Sequence, residues 1–150
     1  ITVDSLGSWT DFVGDEYKAF SGTAVYTTTI NKVPVADVIK LNLGTVAENA
    51  SVYLNGEYIG TVIDSPYQLY IPAEKFKGQD ELVVRVANSM ANRIAYMDKK
   101  GVDWKIFYNV NMSARKKENV KNGIFDASDW EPKSSGLLGP VTLTPAMVKQ

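Results

Sequence analysis

The chain has 150 residues, is 45% hydrophobic and carries a formal net charge of -1. This length suits one domain with a sizeable core, the hydrophobic content argues against disorder, and the balanced charge offers no global field for nucleic acid. Cysteine and histidine are both absent, so the chain alone cannot provide a disulfide, a thiol nucleophile, a Ser-His-Asp triad or a histidine-bearing zinc site. No apolar run approaches a membrane span, and we predict neither a nucleic-acid nor a membrane partner.

Stretches in which apolar residues alternate with polar ones predict β-strands along most of the chain. In the clearest of them, Ile39, Leu41 and Leu43 are expected to face the core. The predicted strands are 23–31, 38–43, the two arms of a hairpin within 51–63, 67–71, 81–87 and 141–144. Pro145 is expected to end the last strand.

The hairpin is predicted from the dipeptide Asn55-Gly56. Both residues readily adopt positive φ, which favours a two-residue type I′ turn. The turn then sets three facing pairs: Leu54 with Glu57, Tyr53 with Tyr58, and Val52 with Ile59. We interpret the two tyrosines as a structural cross-strand pair.

One segment has helical rather than strand periodicity. Met90, Ile94 and Met97 recur at helical spacing, and this predicts a short helix with Ser89 as its N-cap and Gly101 as its stop.

A long irregular excursion, about 102–137, follows the helix. It carries five aromatic residues: Trp104, Phe107, Tyr108, Phe125 and Trp130. A connection of this length in a compact domain is usually functional or an interface. The elements together predict an all-β fold, an antiparallel β-sandwich with a short helix and one long excursion, in a single domain 1–150.

Four segments resemble, in the same order, the sugar-binding β-sandwich domain of family two glycoside hydrolases. Residues 20–26 resemble its opening strand, and 52–60 resemble its "V-x-L-N-G-x-x-x-G" hairpin. Residues 77–86 resemble the following "G-x-N-x-L-x-V-x-V" strand, with Asp80 close to where asparagine is usual. Residues 135–141 resemble the closing "S-G-I-x-x-x-V" segment.

The chain is still more similar to the C-terminal domain of large bacterial α-L-rhamnosidase-like glycoside hydrolases. Residues 128–141 match its "S-D-W-x-P-x-x-S-G-L-L-G-P-V" run, and 91–94 and 104–107 add to the likeness. The resemblance implies a galactose-binding-like jelly roll from a secreted or periplasmic enzyme. It does not imply catalysis, because in these enzymes the acid and base lie in a separate domain. Since the chain begins at Ile1, we expect a piece of a longer protein, with a processed protein as the alternative.

Candidate carbohydrate-binding residues combine aromatic faces with planar polar groups, the two kinds of side chain that bind sugars. The candidates are Asn92, Arg93, Tyr96, Asp98, Trp104, Asp129 and Trp130. For Asp129 and Trp130, the resemblance implies a loop that reaches toward the catalytic domain and helps shape the sugar pocket. Structural alternatives stay open: either Trp104 or Trp130 could plug one end of the core, and Arg93 could pair with Asp98.

We predict no catalytic residue, although glycoside hydrolysis normally uses two carboxylates. The acidic groups considered are Asp15-Glu16, Asp80-Glu81, Asp126 with Asp129, and Glu131, and none follows a recognisable catalytic strand. We predict no cofactor and no metal. Some jelly rolls of this kind hold a structural calcium, and for that alternative Asp11, Asp15 and Glu16 could contribute ligands.

These observations predict a non-catalytic, accessory, carbohydrate-associated domain of a larger secreted glycoside hydrolase. Its expected partners are carbohydrate, the catalytic domain of the parent enzyme, or both. Two alternatives remain: an independent carbohydrate-binding module, and a purely structural or protein-interaction domain.

Overall fold

A computed structural model describes residues 1–106 and 116–146. Within them, antiparallel strands predominate and two helices are short, α1 (Asp15–Ala19) and α2 (Ala91–Lys99). The strands are β1 (Thr23–Ile30), β2 (Val38–Asn42), β3 (Thr45–Ala47), β4 (Asn49–Leu54), β5 (Glu57–Val62), β6 (Gln68–Pro72), β7 (Asp80–Ala87), β8 (Val120–Lys121), β9 (Ile124–Phe125), β10 (Gly136–Gly139) and β11 (Thr142–Ala146). The predicted all-β class is confirmed, whereas α1, β3 and β8 to β10 were not predicted. Among residues 1–106 and 116–146, none of the helices has the length and apolar character of a membrane span.

The chain folds into two compact units. The first consists of Ile1–Trp9, Gly22–Asn88 and the described residues from Ser134 onward, and it contains β1 to β7, β10 and β11. The second consists of Thr10–Ser21 and Ser89–Lys133, and it contains both helices and the small hairpin β8–β9. Most of the predicted excursion therefore belongs to the second unit.

The core of the first unit lies between antiparallel sheets. Four strands pair in the order β1-β7-β4-β5, three in the order β11-β2-β6, and β10 pairs with β3. Ile39, Leu41 and Leu43 are completely buried, as the alternation predicted. Leu41 and Ile71 from the three-stranded sheet share one apolar cluster with Val52 from the four-stranded sheet, so removal of these side chains from water holds the two sheets together.

The hairpin turn has the predicted geometry. Asn55 has φ 51° and Gly56 has φ 79°, and the two residues connect β4 directly to β5. Tyr53 lies opposite Tyr58, and their ring centroids are 5.5 Å apart in an edge-to-face arrangement. The predicted turn and tyrosine pair are both confirmed.

The predicted pairing of Val52 with Ile59 is wrong, because a β-bulge follows the tyrosine pair and places Gly60 opposite Val52. A Cβ on Gly60 would lie only 2.9 Å from Leu69 Cδ2. Glycine therefore permits the close approach of β5 to Leu69, and the extra residue of the bulge still leaves Ile59 packed against the core.

Two predicted element ends differ from the structure. The predicted helix is confirmed as α2, but its N-cap is Met90 and not Ser89, since the Met90 carbonyl accepts the first helical hydrogen bond, from the Ile94 N–H at 2.9 Å. Pro145 does not end the last strand, because it lies within β11. β11 is an edge strand that pairs with β2, and a proline is tolerated at an edge because its missing N–H is not needed by a second neighbour.

A buried carboxylate connects the hairpin turn to the start of β7. Asp80 is 1% exposed and its Oδ1 accepts hydrogen bonds from Asn55 Nδ2 at 2.7 Å and from the Lys77 N–H at 2.8 Å. Its Oδ2 accepts from the Gly78 N–H at 3.1 Å. Asn55 Oδ1 in turn accepts from the Glu81 N–H at 2.9 Å. We call this set of bonds the Asn55–Asp80 clamp.

Replacing the clamp carboxylate is expected to destabilise the protein. Asp80→Ala leaves three donors without their acceptor, and we expect the free energy of unfolding to fall by about 3 kcal/mol. Denaturant unfolding followed by circular dichroism measures this change. The adjacent, outward-facing Glu81→Ala is the matched control, with an expected change of about 0.5 kcal/mol or less. Equal effects of the two substitutions would contradict the clamp.

The clamp also predicts a pH dependence of stability. Burial by itself would raise the pKa of Asp80, but the hydrogen bonds from Asn55, Lys77 and Gly78 together hold that pKa below its ordinary value of 3.8. A folded-state pKa below the unfolded one stabilises the protein above about pH 3.8, and this contribution is lost as the pH falls through the folded value. The stability difference between wild type and Asp80→Asn should therefore be constant from pH 5 to 7, within the usual range of maximal stability, and shrink in acid. A difference that grows on acidification would refute this assignment.

Candidate functional site

The seven candidate residues all lie in the second unit, on α2 or on the loops that follow it. Asn92, Arg93, Tyr96 and Asp98 belong to α2, whose end is marked by Gly101 at φ 67°. Phe107 and Tyr108, two further aromatics of the predicted excursion, lie outside the described residues.

Asp98 is an internal structural acceptor. Its side chain is completely buried, and its Oδ1 accepts hydrogen bonds from Trp104 Nε1 at 2.7 Å and from Lys105 Nζ at 2.5 Å. Its Oδ2 accepts from the Ala127 N–H at 2.8 Å. Both oxygens are therefore used to join α2 to two later parts of the loop. The alternative in which Asp98 pairs with Arg93 is wrong, because Lys105 forms that ion pair.

Asn92 also uses its polar atoms internally. It is 4% exposed, its Nδ2 donates to the Lys133 carbonyl at 2.9 Å, and its Oδ1 accepts from the Lys133 N–H at 2.8 Å. The side-chain amide thus imitates a paired strand residue and holds the end of the loop against α2.

Both tryptophans are half-buried and donate their indole N–H within the second unit. Trp104 donates to Asp98, and Lys105 Nζ lies 5.2 Å from the Trp104 ring centroid. Trp130 donates to Asn119 Oδ1 at 2.9 Å and contacts Phe125 edge-to-face at 5.8 Å. These contacts anchor the tryptophans and leave only part of each ring for a ligand.

Asp129 is exposed on the loop that follows the small hairpin β8–β9. Its Oδ2 lies 3.0 Å from Lys121 Nζ, which is also 3.3 Å from Asp126 Oδ1. The hydrogen bond to Asp129, supported by Asp126, raises the pKa of Lys121. The Ser128 hydroxyl and N–H, with Lys121, lower the pKa of Asp126. Because the ion pairs are exposed, we expect them to contribute little to stability.

Arg93 and Tyr96 line an open pocket of about 540 Å³. The Arg93 Cζ lies 5.8 Å from the Tyr96 ring centroid, and Lys100 Nζ lies 5.4 Å from it. Other lining residues come from α1 and the chain segments flanking the helices: Asp15, Glu16, Ala19, Phe20, Ser21 and Met90. The pocket thus combines an aromatic ring, a guanidinium and two carboxylates, all of which can contact a polyhydroxylated ligand.

Several pocket residues were not among the predicted site residues. Phe20 and Met90 are 41% and 54% exposed, which is high for large apolar side chains. Phe20 directly follows α1, an element of five residues that is too short to show a recognisable helical period. The adjacent acids Asp15 and Glu16 are the sequence feature that could have indicated this pocket. The sequence analysis weighed them only as catalytic carboxylates or as calcium ligands.

The described residues contain no cluster of acidic side chains that would support the alternative of a structural calcium site. No group of three acidic side chains placed to hold a metal ion occurs in the described ranges. Asp15 instead forms an ion pair, with 3.4 Å between its Oδ2 and Lys100 Nζ.

The chain is similar to small parts of much larger glycoside hydrolases. No protein-family profile matches it. A protein of Formosa agariphila named "Putative beta-glucuronidase" is 32% identical over 158 residues, which cover 95% of this chain and 14% of that protein. The rhamnosidase structure from Novosphingobium sp. PP1Y superposes with a TM-score of 0.75 at 28% identity, over 95% of this chain and 13% of that one.

A Ruminococcus gnavus β-glucuronidase shares the fold alone, with a TM-score of 0.50 and 20% identity over 59% of this chain and 16% of that one. The predicted resemblance to a small domain of larger glycoside hydrolases is confirmed by these similarities. The chain spans only 13–14% of the length of the two relatives that match it almost throughout.

Removing the Asp98 carboxylate is expected to loosen the second unit. Asp98→Ala leaves Lys105 and two N–H donors without their buried partner, and we expect the free energy of unfolding to fall by about 3 kcal/mol or more. Hydrogen exchange should rise around Trp104 and Ala127 before it rises in β4 and β7. The exposed Asp103→Ala is the matched control and should change neither readout. Unchanged exchange at Ala127 in Asp98→Ala would refute the role of Asp98.

Proposed function

We propose that the chain is a non-catalytic, accessory, carbohydrate-associated domain of a larger secreted or periplasmic glycoside hydrolase of the rhamnosidase-like type. One observation carries this proposal: 95% of the chain matches only 13–14% of two proteins that are named as glycoside hydrolases. Most of each relative therefore lies outside the matched segment, and in our proposal that remainder includes the catalytic domain.

The environments of the acidic side chains support a non-catalytic role. Asp80 is held in the Asn55–Asp80 clamp, and Asp15 lies beside Lys100. Asp126 and Asp129 share Lys121. Each acidic pair considered from the sequence thus has a member in a structural contact, whereas a glycosidase needs two carboxylates free to face the scissile bond.

The pocket of the second unit supports the carbohydrate association. In our proposal Arg93 and Tyr96 contact the sugar, since Arg93 is exposed and its guanidinium is not used by Asp98. The buried Asn92 and Asp98 hold α2 and its loops in place. Asp129 remains a candidate for a contact at the exposed loop after β9.

The same pocket favours a second candidate function, an independent carbohydrate-binding module. The two functions differ in what the isolated chain does. In a module, the Arg93–Tyr96 pocket of the isolated chain binds a glycan by itself, whereas in an accessory domain this pocket contributes its contact only beside the catalytic domain of the parent enzyme.

The proposal predicts that the purified chain hydrolyses neither aryl α-L-rhamnosides nor aryl β-D-glucuronides. In the full-length parent enzyme, Arg93→Gln and Tyr96→Ala should raise KM about tenfold while kcat changes little, because a lost substrate contact of about 1.4 kcal/mol is equivalent to a factor of ten. Lys99→Gln, on an exposed part of the same helix, is the control. Steady-state kinetics with the parent's own substrate measure both constants.

Three outcomes would count against this function. Turnover by the 150-residue chain would overturn the non-catalytic role. A parent gene that encodes no catalytic domain would exclude an accessory role. Saturable binding of the isolated chain on a glycan array, lost in Arg93→Gln, would establish the independent module instead.

A further inference from the structure

The outer face of the four-stranded sheet in the first unit carries a cluster of aromatic, hydroxyl and cationic side chains. Strand register aligns Tyr53 on β4 with Tyr58 on β5, and Arg85 on β7 with Ser51 and Thr61. The alternate positions of β4 and β7 are buried in the core, so these five side chains face away from it. We call them the outer-face cluster.

The aromatic part of the cluster holds an arginine in a defined position. Arg85 Cζ lies 4.9 Å from the Tyr53 ring centroid, and the Tyr53 ring contacts Tyr58 at an interplanar angle of 61°. Tyr58 remains 56% exposed. The cation–π contact orders the guanidinium, whose N–H edges can still donate, and the exposed Tyr58 ring offers a surface on which a ligand can stack.

The hydroxyl part of the cluster is a connected chain. Ser51 Oγ lies 2.7 Å from Thr61 Oγ1, and Tyr58 Oη lies 2.9 Å from the same atom. Each hydroxyl can donate one hydrogen bond and accept two. Bonding capacity beyond these two contacts therefore remains, and a sugar hydroxyl matches it because it too donates and accepts.

The charge of the cluster favours an anionic group. Within the described ranges, the five ion pairs of the structure do not include Arg85. Glu81 lies four residues away on the same face of β7, and the other members of the cluster are neutral. An arginine with free N–H edges can bind a carboxylate bidentately, through two charge-assisted hydrogen bonds.

We propose that the outer-face cluster binds an acidic glycan, one in which a sugar residue carries a carboxylate. The apolar face of the sugar ring stacks on Tyr58, ring hydroxyls bond to Ser51 or Thr61, and the carboxylate bonds to Arg85. This site shares no residue with the Arg93–Tyr96 pocket, so it can succeed or fail independently of the proposed function.

The test is calorimetric titration of the full 150-residue chain with tetragalacturonic acid and with its methyl ester, which has the same rings and linkages but no charge. We expect saturable binding of the acid, at least about tenfold weaker binding of the ester, and weaker binding of the acid at high salt, since exposed charge contacts are screened. Absence of saturable binding of the acid, or equal affinity for both ligands, would overturn the proposal.

Variants locate the binding. Tyr58→Ala should weaken it about tenfold or more, and Arg85→Gln should remove the preference for the acid over the ester. Tyr70→Ala, which removes an exposed tyrosine on β6, is the matched control and should bind as wild type does. Loss of binding in Arg93→Gln but not in Arg85→Gln would assign the ligand to the pocket and refute the sheet-face site.

If Tyr58→Ala fails to fold, a second variant and a measurement on the wild-type chain still test the proposal. Tyr58→Phe keeps the stacking ring and removes only its hydroxyl, so it should retain the preference for the acid. In wild type, the acid should shift the amide resonances of Ser51, Thr61 and Arg85. Shifts confined to α2 would contradict the assignment.

Discussion

The hydrogen bonds around the Asp80 carboxylate determine how the first unit is assembled. A carboxylate at 1% exposure would be strongly unfavourable without donors, because burial disfavours its charged form. Asn55 and two backbone N–H groups supply them. Since Asn55 also forms the β4–β5 turn and Asp80 begins β7, one set of bonds fixes the register of three adjacent strands. The outer-face cluster is built on those strands.

The second unit solves a similar problem with different residues. Much of it consists of loop rather than strand, so some of its backbone polar groups lack sheet partners and bond to side chains instead. Asp98 accepts from the Ala127 N–H, and Asn92 pairs with both backbone groups of Lys133. The residue types that can bind sugar hydroxyls can also form hydrogen bonds with buried backbone groups. In this unit two of the candidates, Asn92 and Asp98, form such bonds with the backbone.

This dual use explains which features could be predicted from the sequence. The burial of Ile39 and Leu41, the Asn55-Gly56 turn and α2 follow from local patterns, and all three were predicted. The bulge at Gly60 depends on Leu69, and the burial of Asp80 depends on Asn55, which is 25 residues away. No local periodicity records such contacts. For the same reason, residue type identified candidate sugar ligands but could not separate buried acceptors from exposed ones.

Structural and binding roles need not exclude one another on the sheet face. The tyrosine pair was predicted as structural, and its edge-to-face contact is indeed a cross-strand contact. However, a strand at the edge of a sheet leaves the outer ring of such a pair open, and Tyr58 on β5 is that ring. The pairing that stabilises the hairpin also orders Tyr53 beneath Arg85. A preordered arginine and ring lose less conformational entropy on binding a ligand, so the contact that stabilises the fold also prepares this surface for recognition.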